Sequence, residues 1–282
     1  MIGIPYRGSK RQIAAKIVDK ILTDNPNCRH FYDLFGGGGS VSLEALQRSQ
    51  LERVHYNEIN AGVVALLEKI KSDGVTDEFF DWVSREEFHA LKSGDSWRSG
   101  LIKTCWSFGN NQRNYIYGKD IESLKKELHD HLMRGGYDYS AKSRIELIAD
   151  FISKPQADSR RTGGPQKLQH LQSIEHLQSI EHLDRLAISC ASFDDVAIES
   201  DAASTVVYLD PPYNHSNLYQ NKVIADQLVG YIKNSPHTIY MSEYALADEL
   251  RGSMACVLEM PKRQIFGTDK RGVVVERLFV NR

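Results

Sequence analysis

The sequence predicts an α/β fold: a mostly parallel sheet with helices on both faces, interrupted by a mostly helical insertion. Three observations point to it. Two strand–helix units follow one another over residues 30–71, which argues for parallel strands joined by crossover helices. That alternation stops at about residue 74 and returns after 186. Thr205–Leu209 is then β-branched and nearly continuous in apolar residues, as a strand buried on both faces should be.

The elements follow in order. Ile13, Ile17, Ile21 and Leu22 recur at helical spacing, so 10–22 is predicted as an amphipathic helix, ended by Pro26. The run from His30 to Phe35 reads as a short strand meeting the glycine turn Gly36–Gly39, and Val41, Leu43, Ala45 and Leu46 mark a helix behind it. A second strand is expected at 54–58. Asn60 is placed to cap a helix running to about 71, with Val63, Val64, Leu66, Leu67 and Ile70 inward.

Residues 74–167 are aromatic, polar and basic, with Trp82, Trp97, Trp106, Tyr115, Tyr117, Tyr137 and Tyr139, most of them expected in a core. Between 134 and 167 seven Lys/Arg face four acids, and Arg160–Pro165 reads as a loop. Leu171–His176 then recurs at once as Leu177–His182. Its apolar residues fall every third position from Leu168 to Leu186, a spacing that drifts about 60° per step around an α-helix. The expectation is a packing segment built as a 3₁₀ or polyproline-like coil, or a tiny solenoid turn. His176 and His182 are expected to face solvent. Strands are predicted at 186–190, 205–209, 237–241, 254–260 and 277–280, with helices at 223–234 and 245–251. The organisation expected is one domain from 1–73 and 187–282, with 74–186 inserted.

Composition narrows the class. The 282 residues are 41% hydrophobic and 26% charged, values of an ordinary globular protein rather than a disordered or membrane-embedded one. Residues 1–7 lack the apolar core of a signal peptide, and a cytoplasmic location is expected. Cys28, Cys105, Cys190 and Cys256 are scattered without a Cys-x-x-Cys pair, so neither a zinc ribbon nor a redox motif is indicated. The net charge is −2, so a nucleic-acid site must be a local basic surface.

Two motifs carry chemistry. Asp210-Pro211-Pro212-Tyr213 directly follows the buried strand, at the sheet edge where open α/β folds bind ligands. The two prolines fix the backbone and remove N–H donors. The Asp210 carboxylate and the Pro211 carbonyl are then free to accept hydrogens from one amino group, while Tyr213 offers a face for a base. Such acceptors help a poorly nucleophilic aromatic amine attack an electrophile. The second motif is the glycine turn after the first strand, followed about twenty residues later by Glu58, a carboxylate suited to ribose hydroxyls. The turn departs from G-x-G-x-x-G and shows no phosphate-binding Lys or Arg, which favours a nucleoside cofactor without pyrophosphate, such as S-adenosylmethionine.

With these residues in place the chain resembles the Dam-like family of S-adenosylmethionine-dependent DNA adenine-N6 methyltransferases, in the order cofactor motifs, recognition insertion, Asp-Pro-Pro-Tyr. That resemblance implies a Rossmann-like methyltransferase sheet. Tyr6-Arg7-Gly8-Ser9-Lys10 is similar to the family's N-terminal motif, implying that Tyr6 and Lys10 contact the cofactor, Lys10 near its carboxylate. Asp33, Phe35, Gly36, Gly38 and Ser40 lie in the motif under the methionine part. Asn57-Glu58-Ile59-Asn60 resembles the ribose-binding motif with Glu for Asp. Cys190-Ala191-Ser192-Phe193 occupies the adenine-binding motif, where Ser192 stands in place of an acid and Phe193 is placed to cover the ring. Trp106–Asn111 resembles a stretch after the first recognition helix, and the repeat is similar to that of phage-borne members.

The resemblance implies an enzyme that flips adenine out of double-stranded DNA and needs no metal. Asp210, Pro211, Pro212 and Tyr213 form its catalytic motif, with Asp210 also near the cofactor. Arg113, Lys119, Arg144, Arg160 and Arg161 are candidates for DNA contacts. A monomer in a bacterial cytosol, within or outside a restriction-modification pair, is consistent with it. An RNA base methyltransferase (adenine-N6 or guanine-N2) and a non-catalytic nucleic-acid-binding relative remain as alternatives. Asp210 argues against a protein glutamine methyltransferase, which carries Asn before Pro-Pro-Tyr.

Overall fold

The computed structural model describes residues 3–134, 168–178, 180, 182–211, 222–266 and 270–281. Arg144, Arg160, Arg161, Pro212, Tyr213, Tyr137, Tyr139 and the expected loop at 160–165 lie outside the described residues.

The chain groups into two compact units. One comprises Met1–Gly3, Gly8–Val64 and Ile180–Arg282, the other Ile4–Arg7 and Ala65–Ser179. In the first, strands β1 (His30–Asp33), β2 (Arg53–Asn57), β3 (Leu186–Ser189), β4 (Thr205–Leu209), β5 (Thr238–Glu243), β6 (Met254–Phe266) and β7 (Lys270–Asn281) form a sheet ordered β3-β2-β1-β4-β5-β7-β6. The pairs among β1 to β5 are parallel, and β7 runs antiparallel to both β5 and β6. This is the Rossmann-like methyltransferase arrangement expected from the sequence.

Strand β4, Thr-Val-Val-Tyr-Leu, is buried at every position because it is covered on both faces. Tyr32, Val207, Ile239 and Phe279 form one continuous apolar cluster with Leu228 and Ile232 of helix α8 (Lys222–Asn234). Helix α1 (Ala14–Asp24) buries Ile17, Val18, Ile21 and Leu22 as its spacing requires. It starts four residues later than expected, because Arg11 to Ile13 form a turn rather than a helix. Helix α2 (Ser40–Ala45) follows Gly39, whose φ of 72° is open to glycine at no steric cost.

Two expectations for this unit are corrected. Residues 245–251 form only a 3₁₀ turn, Asp248–Leu250, instead of a helix. The last two strands are far longer than the predicted 254–260 and 277–280, because they pair with each other well past the sheet.

The chain enters the second unit along α3 (Ala61–Asp73). Ser84 accepts from the Glu87 backbone N–H and starts α4 (Arg85–Leu91), while Ser96 accepts from the Ser99 N–H and starts α5 (Trp97–Cys105). Helices α6 (Glu122–Arg134) and α7 (Gln169–Gln178) complete it. The aromatic residues are its core: Trp106, Tyr115, Tyr117, Phe79 and Phe88 are buried. The His170 ring stacks on Trp106 at 4.0 Å. It shares hydrogen bonds with the Tyr117 hydroxyl at 2.8 Å and with His129 at 3.0 Å.

The repeat is also corrected, since α7 is an ordinary α-helix. Leu171, Ile174 and Leu177 are buried along it. Three apolar residues at period three drift only about 120°, which one buried face accommodates. The helix ends at Gln178, before the drift carries the pattern to the opposite side. His182 is exposed beyond its end, as expected, and the His176 side chain lies outside the described residues.

Candidate functional site

The candidate residues of the first unit gather at the carboxyl edge of the parallel strands. Asp210 follows β4, Asp33 ends β1, Glu58 follows β2 and Glu243 ends β5. Glu276 lies on β7, one residue beyond Arg277, which pairs with Glu243. At the centre is Lys10, almost wholly buried. Its ammonium lies 2.6 Å from Asp210 Oδ1 and 3.1 Å from Glu276 Oε1. Its backbone N–H donates to Ser40 Oγ at 3.1 Å, which ties this segment to the start of α2. Sequence reasoning expected Lys10 near a cofactor carboxylate; in the structure the ammonium lies on Asp210 and Glu276. Burial works against the charge of Lys10, but the two carboxylates outweigh it and raise its pKa.

Asp33 is 1% exposed. Ser42 Oγ donates to its Oδ2 at 2.6 Å. Its Oδ1 is buried and meets no hydrogen-bond partner among the described residues. Burial pushes its pKa up to about 7 against the Ser42 hydrogen bond, and the charges of Asp210 and Glu58 push the same way. Glu243 is likewise pushed up to about 7, first by burial and then by Asp210. Asp210, Glu276 and Glu243 thus act on the one lysine, and Asp210 also acts on Asp33.

The glycine turn forms the floor. A Cβ on Gly36 would stand 2.2 Å from the Tyr56 ring and 3.0 Å from the Asn57 carbonyl. The Tyr56 hydroxyl donates to the Gly37 carbonyl at 2.7 Å, fixing the turn against β2. Glu58 accepts from the Gly37 N–H at 2.8 Å and from the Asn60 N–H at 2.9 Å. These contacts orient its carboxylate. Phe35 and Phe193 stack with ring centroids 5.1 Å apart. The Ser192 hydroxyl donates to Asp194, an exposed acid that the sequence reading passed over.

The structure therefore brings together Lys10, Asp33, Phe35, Gly36, Gly38, Ser40, Glu58, Ser192, Phe193, Asp210 and Pro211 in one unit. Tyr6, half-buried, groups with the other unit. Glu243 and Glu276 were missed. The available signal for Glu276 was the lone acid, beside Arg277, in the otherwise apolar stretch Val273–Val280. In the second unit Arg113 and Lys119 are exposed. Phe108 is 63% exposed on a tight turn in which Gly109, Asn110 and Gln112 all have positive φ. Among the described residues no cluster of His, Cys, Asp and Glu is arranged to hold a metal ion, and no helix is long and apolar enough to cross a membrane.

Comparison with known proteins adds the family. The model of the D12 class N6 adenine-specific DNA methyltransferases matches residues 6–228. A search of curated proteins gave no match. Among solved structures, the Escherichia coli protein yhhF, described as a putative methyltransferase, has 11% identity and a TM-score of 0.38, over 99% of this chain and 90% of its own. The Haemophilus influenzae putative methylase HI0767 has 15% identity and a TM-score of 0.30, over 99% and 91%. A conserved hypothetical protein of Streptococcus pyogenes has 12% identity and a TM-score of 0.33, over 95% of each chain. Structural likeness at these scores bears no weight for the site. The family match spans most of the chain and includes both Asp210 and the glycine turn, and so the chain belongs to the D12 class N6 adenine-specific DNA methyltransferases.

Proposed function

We propose that this protein transfers a methyl group from S-adenosylmethionine to N6 of an adenine flipped out of duplex DNA, at specific sites. The observation that carries the reading is Asp210, held at the end of β4 by a buried lysine that is itself held by Glu276.

The cofactor fits the residues present. Asp33 offers an ammonium a buried carboxylate oxygen that has no hydrogen-bond partner among the described residues, and the glycine turn is a cradle that a Cβ would fill. Glu58 is oriented for ribose hydroxyls, and Phe35 with Phe193 supplies an aromatic wall for adenine. When bound, S-adenosylmethionine supplies an electrophilic methyl on a cationic sulfur.

The chain's own groups act on the amine. Asp210 and the Pro211 carbonyl accept its two hydrogens, which localises the nitrogen lone pair and stabilises the positive charge that develops there as it attacks. Lys10 keeps the Asp210 carboxylate in one position. Tyr213 is assigned by the motif to stacking on the flipped base. The proton leaves N6 for water after transfer. Arg113, Lys119, Arg144, Arg160 and Arg161 are assigned to DNA contacts, and Phe108 has the exposure a wedge between base pairs requires. The protein is proposed to act as a monomer in the cytoplasm.

The test uses isotope-labelled S-adenosylmethionine with unmethylated duplex DNA and, in parallel, structured RNA, each digested to nucleosides. Label in N6-methyldeoxyadenosine is expected. Label confined to RNA would move the substrate to an RNA base. Asp210→Ala should lose most transfer while cofactor binding weakens less; full turnover in that variant would remove Asp210 from its role.

A further inference from the structure

We infer that the β6–β7 ribbon is a second DNA-binding element, separate from the insertion, which enters the major groove of the duplex from the catalytic edge of the sheet. The inference rests on the reading of the substrate as duplex DNA.

Strand β7 pairs with β5 only from Val280 to Arg277, opposite Tyr240 to Glu243. Beyond that point it pairs with β6 alone, and the outer rungs run from Val275 opposite Pro261 to Lys270 opposite Phe266. Those six residues per strand extend about 20 Å past the edge of the sheet. The base of this extension belongs to the catalytic site, since Glu276 holds Lys10 and Lys10 holds Asp210. A duplex that delivers a base to Asp210 must lie beyond the same edge.

The outer ribbon has the charge for such a partner. From Pro261 to Val275 the sequence carries Lys262, Arg263, Lys270 and Arg271 against one acid, Asp269. In the register, Phe266 is opposite Lys270 and Ile265 opposite Arg271, which places two of the four cations at the far end. This local excess of positive charge sits on a chain whose net charge is −2. A free two-stranded ribbon is marginal in water and gains stability by lying on a partner. Strands about 4.8 Å apart fit the B-DNA major groove, about 12 Å wide, which admits a two-stranded ribbon. The deep, narrow major groove of A-form RNA does not admit side chains.

The experiment compares the full-length protein with two double variants, Lys262→Gln/Arg263→Gln and Lys270→Gln/Arg271→Gln. Binding to an unmethylated fluorescent duplex is followed by anisotropy across a salt series, alongside S-adenosylmethionine binding. Each neutralised phosphate contact contributes about 0.9 to the slope of log affinity against log salt, so each double variant should lower the slope by up to about 1.8. Cofactor affinity should hold, and Lys262→Arg/Arg263→Lys should keep the wild-type slope. An unchanged slope in both glutamine variants overturns the inference. So does a loss seen with structured RNA but not with duplex DNA. Failure of the wild-type protein to methylate DNA would defeat the substrate reading instead, and is read separately from the slope.

Discussion

Replacing Asp33 by asparagine tests the electrostatics of the site with little change of shape. The wild-type carboxyl is buried and its pKa lies near 7, about three units above the value of a free aspartate. Between those two values the folded protein holds a proton that the unfolded chain has lost. Its stability therefore falls as pH rises from about 4 to about 7, at up to ~1.4 kcal/mol per pH unit, and levels off above that. Integrated over the window this is about 4 kcal/mol as an upper figure. The Asp33→Asn variant has no such proton to lose. Its amide keeps an acceptor for Ser42 and leaves one buried donor unpaired, at a cost of about 1–3 kcal/mol. The variant should thus gain on wild type as pH rises from about 4.5 to 7 and be the more stable of the two at pH 8. Urea unfolding of the cofactor-free protein in steps from pH 4.5 to 8.5 measures the difference directly. A difference that stays constant with pH would refute the reasoning, because it would mean that Asp33 ionises like a solvent-exposed carboxyl. The same variant should bind S-adenosylmethionine more weakly from pH 7 upwards, while wild-type affinity rises as pH approaches 7 and Asp33 ionises.

Two further outcomes follow from the packing. Gly36→Ala drives a methyl into the Tyr56 ring. The strain should cost about 1–3 kcal/mol in thermal unfolding and weaken cofactor binding, and Gly36→Ala combined with Tyr56→Leu should recover part of the stability. In the second unit His129 is held down to about 4 and His170 well below its usual value, both chiefly by burial. Depressed histidine pKa values mean that the unfolded chain takes up protons first, so this unit should lose stability as pH falls from about 6.5 to 4. Near-ultraviolet circular dichroism of the stacked Trp106 is a direct reporter, and a signal unchanged down to pH 4 would count against it.

Much of this was legible in the sequence because the parallel part of the sheet is written locally. Thr205–Leu209 is β-branched and nearly continuous in apolar residues, the glycine turn sits between a strand and a helix, and Asp210 follows its strand directly. What stayed hidden depends on pairing across long distances. No local pattern at 254–260 or 277–280 reveals that the two strands continue as a ribbon, since length there is set by each strand's partner. Glu276 reads as an ordinary strand charge until the fold brings it to Lys10. The repeat misled for the opposite reason. Its period is real, but the helix built from it stops before the drift around its axis matters.

The union of Lys10 with Asp210 and Glu276 also sets an order of events. Its partners are 200 and 266 residues away along the chain. During synthesis Lys10 emerges long before either, so the ammonium stays in water until β7 has inserted between β5 and β6. Closing loops of that length is slow compared with forming a helix. The active centre is therefore among the last parts of the molecule to exist. A nascent or partly folded chain would have its glycine turn and Asp210 near each other through β1 and β4, yet lack the clamp that fixes the carboxylate. Competence for methyl transfer would arrive only with completion of the whole sheet.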